Sequence, residues 1–396
     1  MKVMQINVVY NTGSTGKIMC DIHSELVKNG VESVICYGRG AKTRDENVYK
    51  TCGELYSKMN NLLSRFTGIM YGGCFFSTGK LISIIKKEKP DVVHLHCLNG
   101  YFVNIYRLVS WLNKKNIKTV LTLHAEFMHT GNCSHAFDCD KWLSGCGKCP
   151  RLKAETKSLL FDSTRKSWKK MKKAFEGFDD LTVVSVSPWL QSRAERSPIL
   201  RGLKHTTVFN GLDTDLFKPT QSDLREKYNL SDKNVVFHAT PWFDNDSNNL
   251  KGGCYVIEAA EKMPDTAFVV AGSHPDGLSV PENVIMLGRV ADQDLLAKWY
   301  TTADLTLLTS RKETFSMIVA ESLCCGTPVV GFYAGGPETI TIPEYSCFTE
   351  YGNVEMLVHN IEMFLKQTLN RSNIVSVAKN KYSKVNMCAE YIKLYS

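Results

Sequence analysis

Glu313-Thr-Phe-Ser-Met-Ile-Val-Ala-Glu321 is the stretch that decides how this chain is read. Ahead of it runs Leu305-Thr-Leu-Leu308, apolar enough for a buried strand, and behind it Ser322-Leu-Cys-Cys-Gly-Thr-Pro328 ends a helix at Gly326 and Pro328. The pattern predicts a strand-to-helix loop that holds Glu313 and a helix that holds Glu321. Eight residues at ~100° each put the two carboxylates ~80° apart in azimuth and, at ~1.5 Å per residue, ~12 Å apart along the axis. They are not spaced as a facing acid–base pair but to grip two separate parts of one long ligand. Thr314, Phe315 and Ser316 lie between them, where the free N–H groups of a helix start attract an anion. Spacing alone favours a plainer reading, a surface helix with two unrelated glutamates.

Working outward, short β-branched runs alternate with helical patterns from the first residue, which argues for βαβ units and parallel sheets. Met1 to Val9 reads as a first strand. Gly13-Ser-Thr-Gly16-Lys17 then opens a helix that lasts to about Lys28. This turn is not a Walker A loop, because two residues separate its glycines and Ile18 stands where Ser or Thr is needed, and it is not G-x-G-x-x-G. Asp91 to His96 and Thr119 to His124 read as buried strands, the second delivering His124 at its C-terminal end, where open α/β sheets place ligands. Val235 to Ala239 restarts the alternation, followed by the long polar loop Thr240–Lys251.

Carboxylate, helix end and second carboxylate, in that order, suit a sugar nucleotide. The residues around them strengthen this reading. Ser310 to Glu313, Glu321 to Val330 and Gly335-Gly-Pro-Glu338 resemble the family-4 retaining glycosyltransferases, as do Asn210-Gly-Leu-Asp213 with Asp215-Leu-Phe217, and Lys251-Gly252. The resemblance implies an α/β chain with the GT-B fold, two Rossmann-like domains with parallel sheets facing a central cleft. It places an N-terminal acceptor-side domain at 1–216, a linker at 217–233, a nucleotide-sugar-binding domain at 234–380 and a C-terminal helix at 381–396 that crosses back. It implies Glu313 and His124 at the transferred sugar and Glu321 at the ribose. Lys251, Thr314, Phe315, Ser316, Gly13, Gly16 and Gly288 are then donor-binding. Two departures stand out: relatives have Asp after the histidine where this chain has Ala125 and Glu126, and the loop before Lys251 lacks the Arg that completes their diphosphate clamp.

The implied activity is retaining hexosyl transfer from a UDP- or GDP-sugar to a growing, lipid-linked oligosaccharide, with no cofactor required for catalysis. A sugar-nucleotide-binding scaffold that has lost turnover is the alternative the two departures motivate, and a sugar-nucleotide epimerase is a third.

The loop 125–150 carries Cys133, Cys139, Cys146 and Cys149, four cysteines within 17 residues, the last two as C-x2-C. Three readings stay open: a structural zinc held by four thiolates, with His129 or His135 as a substitute ligand, plain reduced thiols, or a disulfide. A similar Cys-rich loop in relatives of colanic-acid and O-antigen assembly points the resemblance toward surface polysaccharides. In and just after the basic run Arg165 to Lys173, the residues Trp168, Met171, Phe175 and Phe178 recur at helical spacing, which reads either as an ordinary packed helix or as a contact with an anionic membrane.

Composition sets outer bounds. A chain of 396 residues, 43% hydrophobic, fits two or three globular domains, and a net charge of +8 does not by itself indicate nucleic acid. No apolar run is long enough to span a bilayer and no export signal precedes the first strand. Fourteen cysteines scattered through apolar elements then read as mostly free thiols in a reducing cytoplasm, with peripheral attachment to the inner membrane face left as an option.

Overall fold

The computed structural model describes residues 1–396, which divide into two compact units, Met1–Val208 with Met387–Ser396 and Phe209–Asn386.

Seven parallel strands form the sheet of the first unit: β1 (Lys2–Val9), β2 (Glu32–Arg39), β3 (Val48–Lys50), β4 (Val92–Leu95), β5 (Lys118–Leu123), β6 (Leu181–Ser185) and β7 (Lys204–Thr207). Their order is β3-β2-β1-β4-β5-β6-β7. Helices α1 (Gly13–Lys28), α2 (Glu54–Thr67), α3 (Phe75–Glu88), α4 (Ile105–Lys114), α5 (Phe127–Thr130), α6 (Thr164–Phe175) and α7 (Pro188–Arg196) join them. The central strands are covered on both faces and so read as near-continuous apolar runs. The core gathers Val3, Ile18, Ile22, Val120 and Val184 with Tyr391 and Tyr395.

The second unit repeats the plan with β8 (Val235–Trp242), β9 (Ala267–Ser273), β10 (Val284–Gly288), β11 (Leu305–Leu308), β12 (Val329–Phe332) and β13 (Ser346–Thr349), all parallel and ordered β10-β9-β8-β11-β12-β13. Its helices are α8 (Leu224–Lys227), α9 (Gly253–Lys262), α10 (Gln293–Thr302), α11 (Met317–Cys324), α12 (Pro337–Ile340), α13 (Val354–Leu365) and α14 (Arg371–Tyr382). A last helix, α15 (Lys384–Tyr395), spans the unit boundary. The stretch after Asn210 is tied into the second unit, with Phe217 buried edge-on to Tyr300 and Tyr228 edge-on to Trp299.

In each sheet the chain reverses direction of growth once, between β1 and β4 and between β8 and β11. Loops leave the carboxyl ends of those neighbouring strands in opposite directions and open a crevice, the usual ligand position in open α/β sheets.

Candidate functional site

At the switch point of the second unit, the loop after β8 and the loop after β11 meet. Lys251 Nζ lies 2.6 Å from Glu313 Oε1, although 62 residues separate them. Both are partly exposed, 31% and 19%. Two backbone devices hold the pair. Thr309 donates its hydroxyl to the Lys251 carbonyl (2.8 Å), and the next residue, Gly252, has φ +65° with Thr309 O only 2.3 Å from where a Cβ would sit. Only glycine fits there. On the other side, Glu313 N donates to Ala334 O and Gly336 N donates to Glu313 O. The Glu338 carboxylate accepts from Ala334 N and Gly335 N, which fixes that turn in place.

Helix α11 begins at Met317, so Glu313 sits four residues outside it and the helical spacing computed from sequence does not apply to the pair of glutamates. The residue before the helix, Ser316, has φ +83°, unusual for a non-glycine, and its buried hydroxyl has no partner. A strained residue with an unsatisfied hydroxyl, at the free N–H end of an eight-residue helix, is a ready place for an anion. Phe315 is 3% exposed and packs its ring edge-on to Phe209 and Tyr382, which anchors the loop and leaves its backbone N–H as the only group it could turn toward an anion.

Glu321 accepts a hydrogen bond from the buried Tyr300 hydroxyl (3.0 Å). Burial, the Glu321 charge and this bond together push the Tyr300 hydroxyl well above its usual pKa, so it stays a donor. Glu321 and Tyr300 line a cavity of about 470 Å³ with Thr240, Pro241, Ile318 and Arg289. Arg289 was not identified from sequence. It follows Gly288, which ends β10 at φ +67°, and it places in the cavity lining an arginine of the kind the loop before Lys251 lacks.

In the first unit, His124 directly follows β5 and joins a chain of buried polar groups. Gln5 donates its amide N–H to Met19 O (3.2 Å), which turns its oxygen toward His96. His96 Nε2–H then donates to Gln5 Oε1 (3.1 Å), leaving His96 Nδ1 to accept from His124 Nε2–H (3.3 Å). The rings are neutral, because burial, helped by the neighbouring histidines, holds His96 well below its usual pKa and burial brings His124 down to about 4. His94 sits beside it, bonded to the Tyr395 and Thr122 hydroxyls (2.7 Å each), a structural role. Gly13 (φ +62°) and Gly16 open α1 past the end of β1.

Glu126 takes no position for chemistry. It is fully buried, 2.5 Å from Arg193 Nε, and accepts from Ala136 N (2.7 Å). Burial alone would raise its carboxyl; the His129 hydrogen bond, the Arg193 charge and the Ala136 N–H outweigh it and hold the group near 2. The loop 125–150 is also more regular than expected, with α5 and a 3-10 turn at Lys141–Leu143.

Cys133, Cys139, Cys146 and Cys149 do come together around one cavity of about 20 Å³, room for one water-sized occupant. His129 and His135 are not among its lining residues. All fourteen cysteines are free thiols, and no three His, Cys, Asp or Glu side chains stand gathered as a metal shell. Helix α6 turns its apolar face inward, with Trp168, Met171, Phe175 and the following Phe178 all buried, so that face is not available to a bilayer. No helix is long and apolar enough to cross a membrane.

Comparison with known proteins bears on these sites. The family described as Glycosyltransferase Family 4 matches residues 16–216, and Glycosyl transferases group 1 matches residues 224–381. Over its full length the chain is 22% identical to a putative colanic acid biosynthesis glycosyl transferase, WcaC, of Escherichia coli K12, covering 99% of that protein. Among solved structures, Anabaena HepE in complex with UDP aligns at TM-score 0.68 and 16% identity over 99% of both chains. An Escherichia coli trehalose-6-phosphate structure bound with UDP-2-fluoro glucose aligns at 0.64 and 10% identity over 100% of this chain and 99% of its own.

Proposed function

Because this chain belongs to glycosyltransferase family 4 and has the GT-B fold, we propose that it moves a hexose-type sugar, with retention of anomeric configuration, from a UDP- or GDP-sugar to a lipid-linked oligosaccharide of a bacterial surface polysaccharide. The observation that carries this reading is the Lys251–Glu313 pair at the switch point of the second unit, next to the unsatisfied Ser316 hydroxyl. Lys251, Ser316 and the α11 start bind the diphosphate, with Arg289 in place of the missing loop arginine. Glu321, oriented by Tyr300, takes the ribose hydroxyls, and Glu313 takes hydroxyls of the transferred sugar. By family membership, His124 is assigned to the same sugar. The polysaccharide setting is supported by the full-length similarity to WcaC.

In this reaction the bond from the anomeric carbon to the phosphate oxygen breaks and the acceptor hydroxyl oxygen bonds the same carbon from the same face. The acceptor's proton passes to the departing phosphate oxygen, so no protein nucleophile is needed. The protein's contribution is electrostatic: preorganised positive charge where the leaving group gains its negative charge.

Thermal shift across a panel of UDP- and GDP-sugars identifies the donor, since ligand at about 100 times its dissociation constant stabilises by ~2.7 kcal/mol. Slow release of free UDP or GDP from that donor is expected. A donor that stabilises the protein yet is never turned over, with or without acceptor, overturns the enzyme reading in favour of a scaffold. Proton NMR of the product reads the anomeric configuration.

A further inference from the structure

Helix α2 is folded with its polarity reversed. Its buried residues are Ser57, Asn60 and Ser64, whereas Leu55, Met59, Leu62, Leu63 and Phe66 are 44–74% exposed. At ~100° per residue the buried three fall within ~60° of one another, and the exposed five centre on the opposite side. The inward polar atoms are all matched within the fold. Ser57 donates to Gly100 O (3.0 Å), Asn60 donates to Tyr56 O and accepts from Cys74 N, and Ser64 donates to the Tyr101 hydroxyl (3.3 Å). The arrangement is therefore built, and the apolar stripe is left facing out.

Two other segments extend the stripe. Leu159 N donates to Arg65 O (2.8 Å), which lays Leu159, Leu160 and Phe161, each at least 57% exposed, along the end of α2. At its other end, Phe76, 84% exposed, packs its ring 6.0 Å from Tyr56 and donates its N–H to the Tyr56 hydroxyl. The charge around this surface is mainly positive. Lys58 on α2, and Lys153 and Lys157 just ahead of Leu159, are exposed. The outer face of α6 adds Arg165, Lys166 and Lys169, and its first turn is joined to the end of α2 by Ser163 Oγ donating to Thr67 O (2.8 Å). The carboxylates present are already engaged: Glu54 with Arg39, Glu155 with Arg151, and Asp162 with the Cys149 and Thr164 N–H groups.

We propose that this surface, α2 with residues 159–161 and Phe76, docks the first unit onto a bilayer rich in anionic phospholipid, the apolar side chains entering the interface while the flanking lysines meet the headgroups. Leucine and phenylalanine on one face with lysine beside them is the composition of an interfacial membrane helix, and the basic residues gain from the negative surface potential. A large exposed apolar patch needs such an occupant. The α6 face singled out from sequence contributes only its charges. The proposal deepens the reading of a lipid-linked acceptor, but its test uses neither donor nor acceptor, so the two fail separately.

The test is co-sedimentation of the full chain with vesicles of phosphatidylcholine alone or mixed with phosphatidylglycerol. The wild type is expected to pellet with the anionic vesicles, less so in high salt. Leu62→Ser with Leu63→Ser and Phe66→Ser is expected to lower vesicle affinity at least tenfold, and Lys153→Glu with Lys157→Glu to remove the preference for anionic lipid. Far-UV circular dichroism and the melting temperature without ligand are expected to stay unchanged in both, because all these side chains are exposed. Equal pelleting of the wild type and the triple variant overturns the proposal. So does a wild type that ignores vesicles and elutes as a dimer which the triple variant converts to monomer, since a second copy then covers the patch.

Discussion

Glu313→Gln should tighten binding of UDP or GDP while slowing transfer, a combination that distinguishes the proposed arrangement from most alternatives. In the protein without ligand, the 2.6 Å pair ties the Lys251 ammonium to the Glu313 carboxylate. A diphosphate that recruits Lys251 must draw it from that partner and also approach a negative charge. The pair is partly exposed, 31% and 19%, so its strength is discounted to the upper part of the range for solvent-screened pairs, about 0.4–1 kcal/mol. At 1.36 kcal/mol per tenfold, freeing the lysine should raise nucleoside-diphosphate affinity by roughly 2–5-fold. Transfer should fall by roughly 10²–10³, the usual effect of removing a charged contact that acts on the reacting sugar. Isothermal titration with the free diphosphate reads the first effect and single-turnover transfer the second. Lys251→Ala should weaken the diphosphate, and in the double variant the gain from Glu313→Gln should vanish, because there is no lysine to free. Diphosphate affinity that is unchanged or weaker in Glu313→Gln, with undiminished transfer, refutes the reasoning.

Arg289→Ala should weaken UDP or GDP by about tenfold or more, as expected for a charge-assisted hydrogen bond, while leaving affinity for the nucleoside unchanged; equal loss on both ligands would remove Arg289 from the phosphates. Stability should fall on acidification. Burial, only partly offset by the Leu307 carbonyl, lowers His238 to about 4, so between pH 7 and pH 5 the unfolded chain takes up a proton that the folded chain refuses, a loss of about 2 kcal/mol that the similarly depressed His94 and His96 enlarge. Urea unfolding midpoints that stay flat from pH 7 to pH 5, or fall as steeply in His238→Gln, would contradict this. For the thiol cavity we propose structural zinc, its binding drawing the four sulfurs together and deprotonating thiols that burial raises to about 12 at Cys133 and Cys146. Elemental analysis should find about one zinc per chain, lost in Cys146→Ser with Cys149→Ser; metal-free protein whose four thiols all titrate would return them to plain cysteines.

Much of the second unit was legible because its signals are local. Leu305–Leu308 forms β11, and Gly326 and Pro328 end the helix that carries Glu321. His124 stands at the end of β5, as the apolar run before it predicts. What the sequence could not yield is pairing across strands. Lys251 and Glu313 meet because β8 and β11 are neighbours at the reversal of the sheet, and nothing within either loop encodes that adjacency. Arg289 carried no signal for the same reason: an exposed arginine after a short strand becomes a cavity wall only once β10, β9 and β8 stand side by side. Tyr300 is likewise ordinary in sequence, a buried aromatic on α10, until its hydroxyl reaches Glu321.

The two amphipathic helices of the first unit show a further limit of periodicity. A 3.6-residue period tells which residues share a face but not which face turns inward. Helix α6 follows the default and buries Trp168, Met171 and Phe175. Helix α2 has the same period and buries serines and an asparagine, which it can do only because Gly100, Cys74, Tyr56 and Tyr101 supply partners that lie far off in sequence or on its own backbone. A large apolar side chain gains about 1.5–3 kcal/mol when fully buried. Five of them left mostly in water on one helix forfeit several kcal/mol, a sizeable share of the 5–15 kcal/mol that typically separates folded from unfolded chains. Exchanging the two faces would bury the apolar side chains but strip Gly100 O and Cys74 N of the partners that Ser57 and Asn60 supply. The proposed bilayer contact gives that exposed face an occupant, covering Leu55, Met59, Leu62, Leu63 and Phe66 and returning free energy on contact.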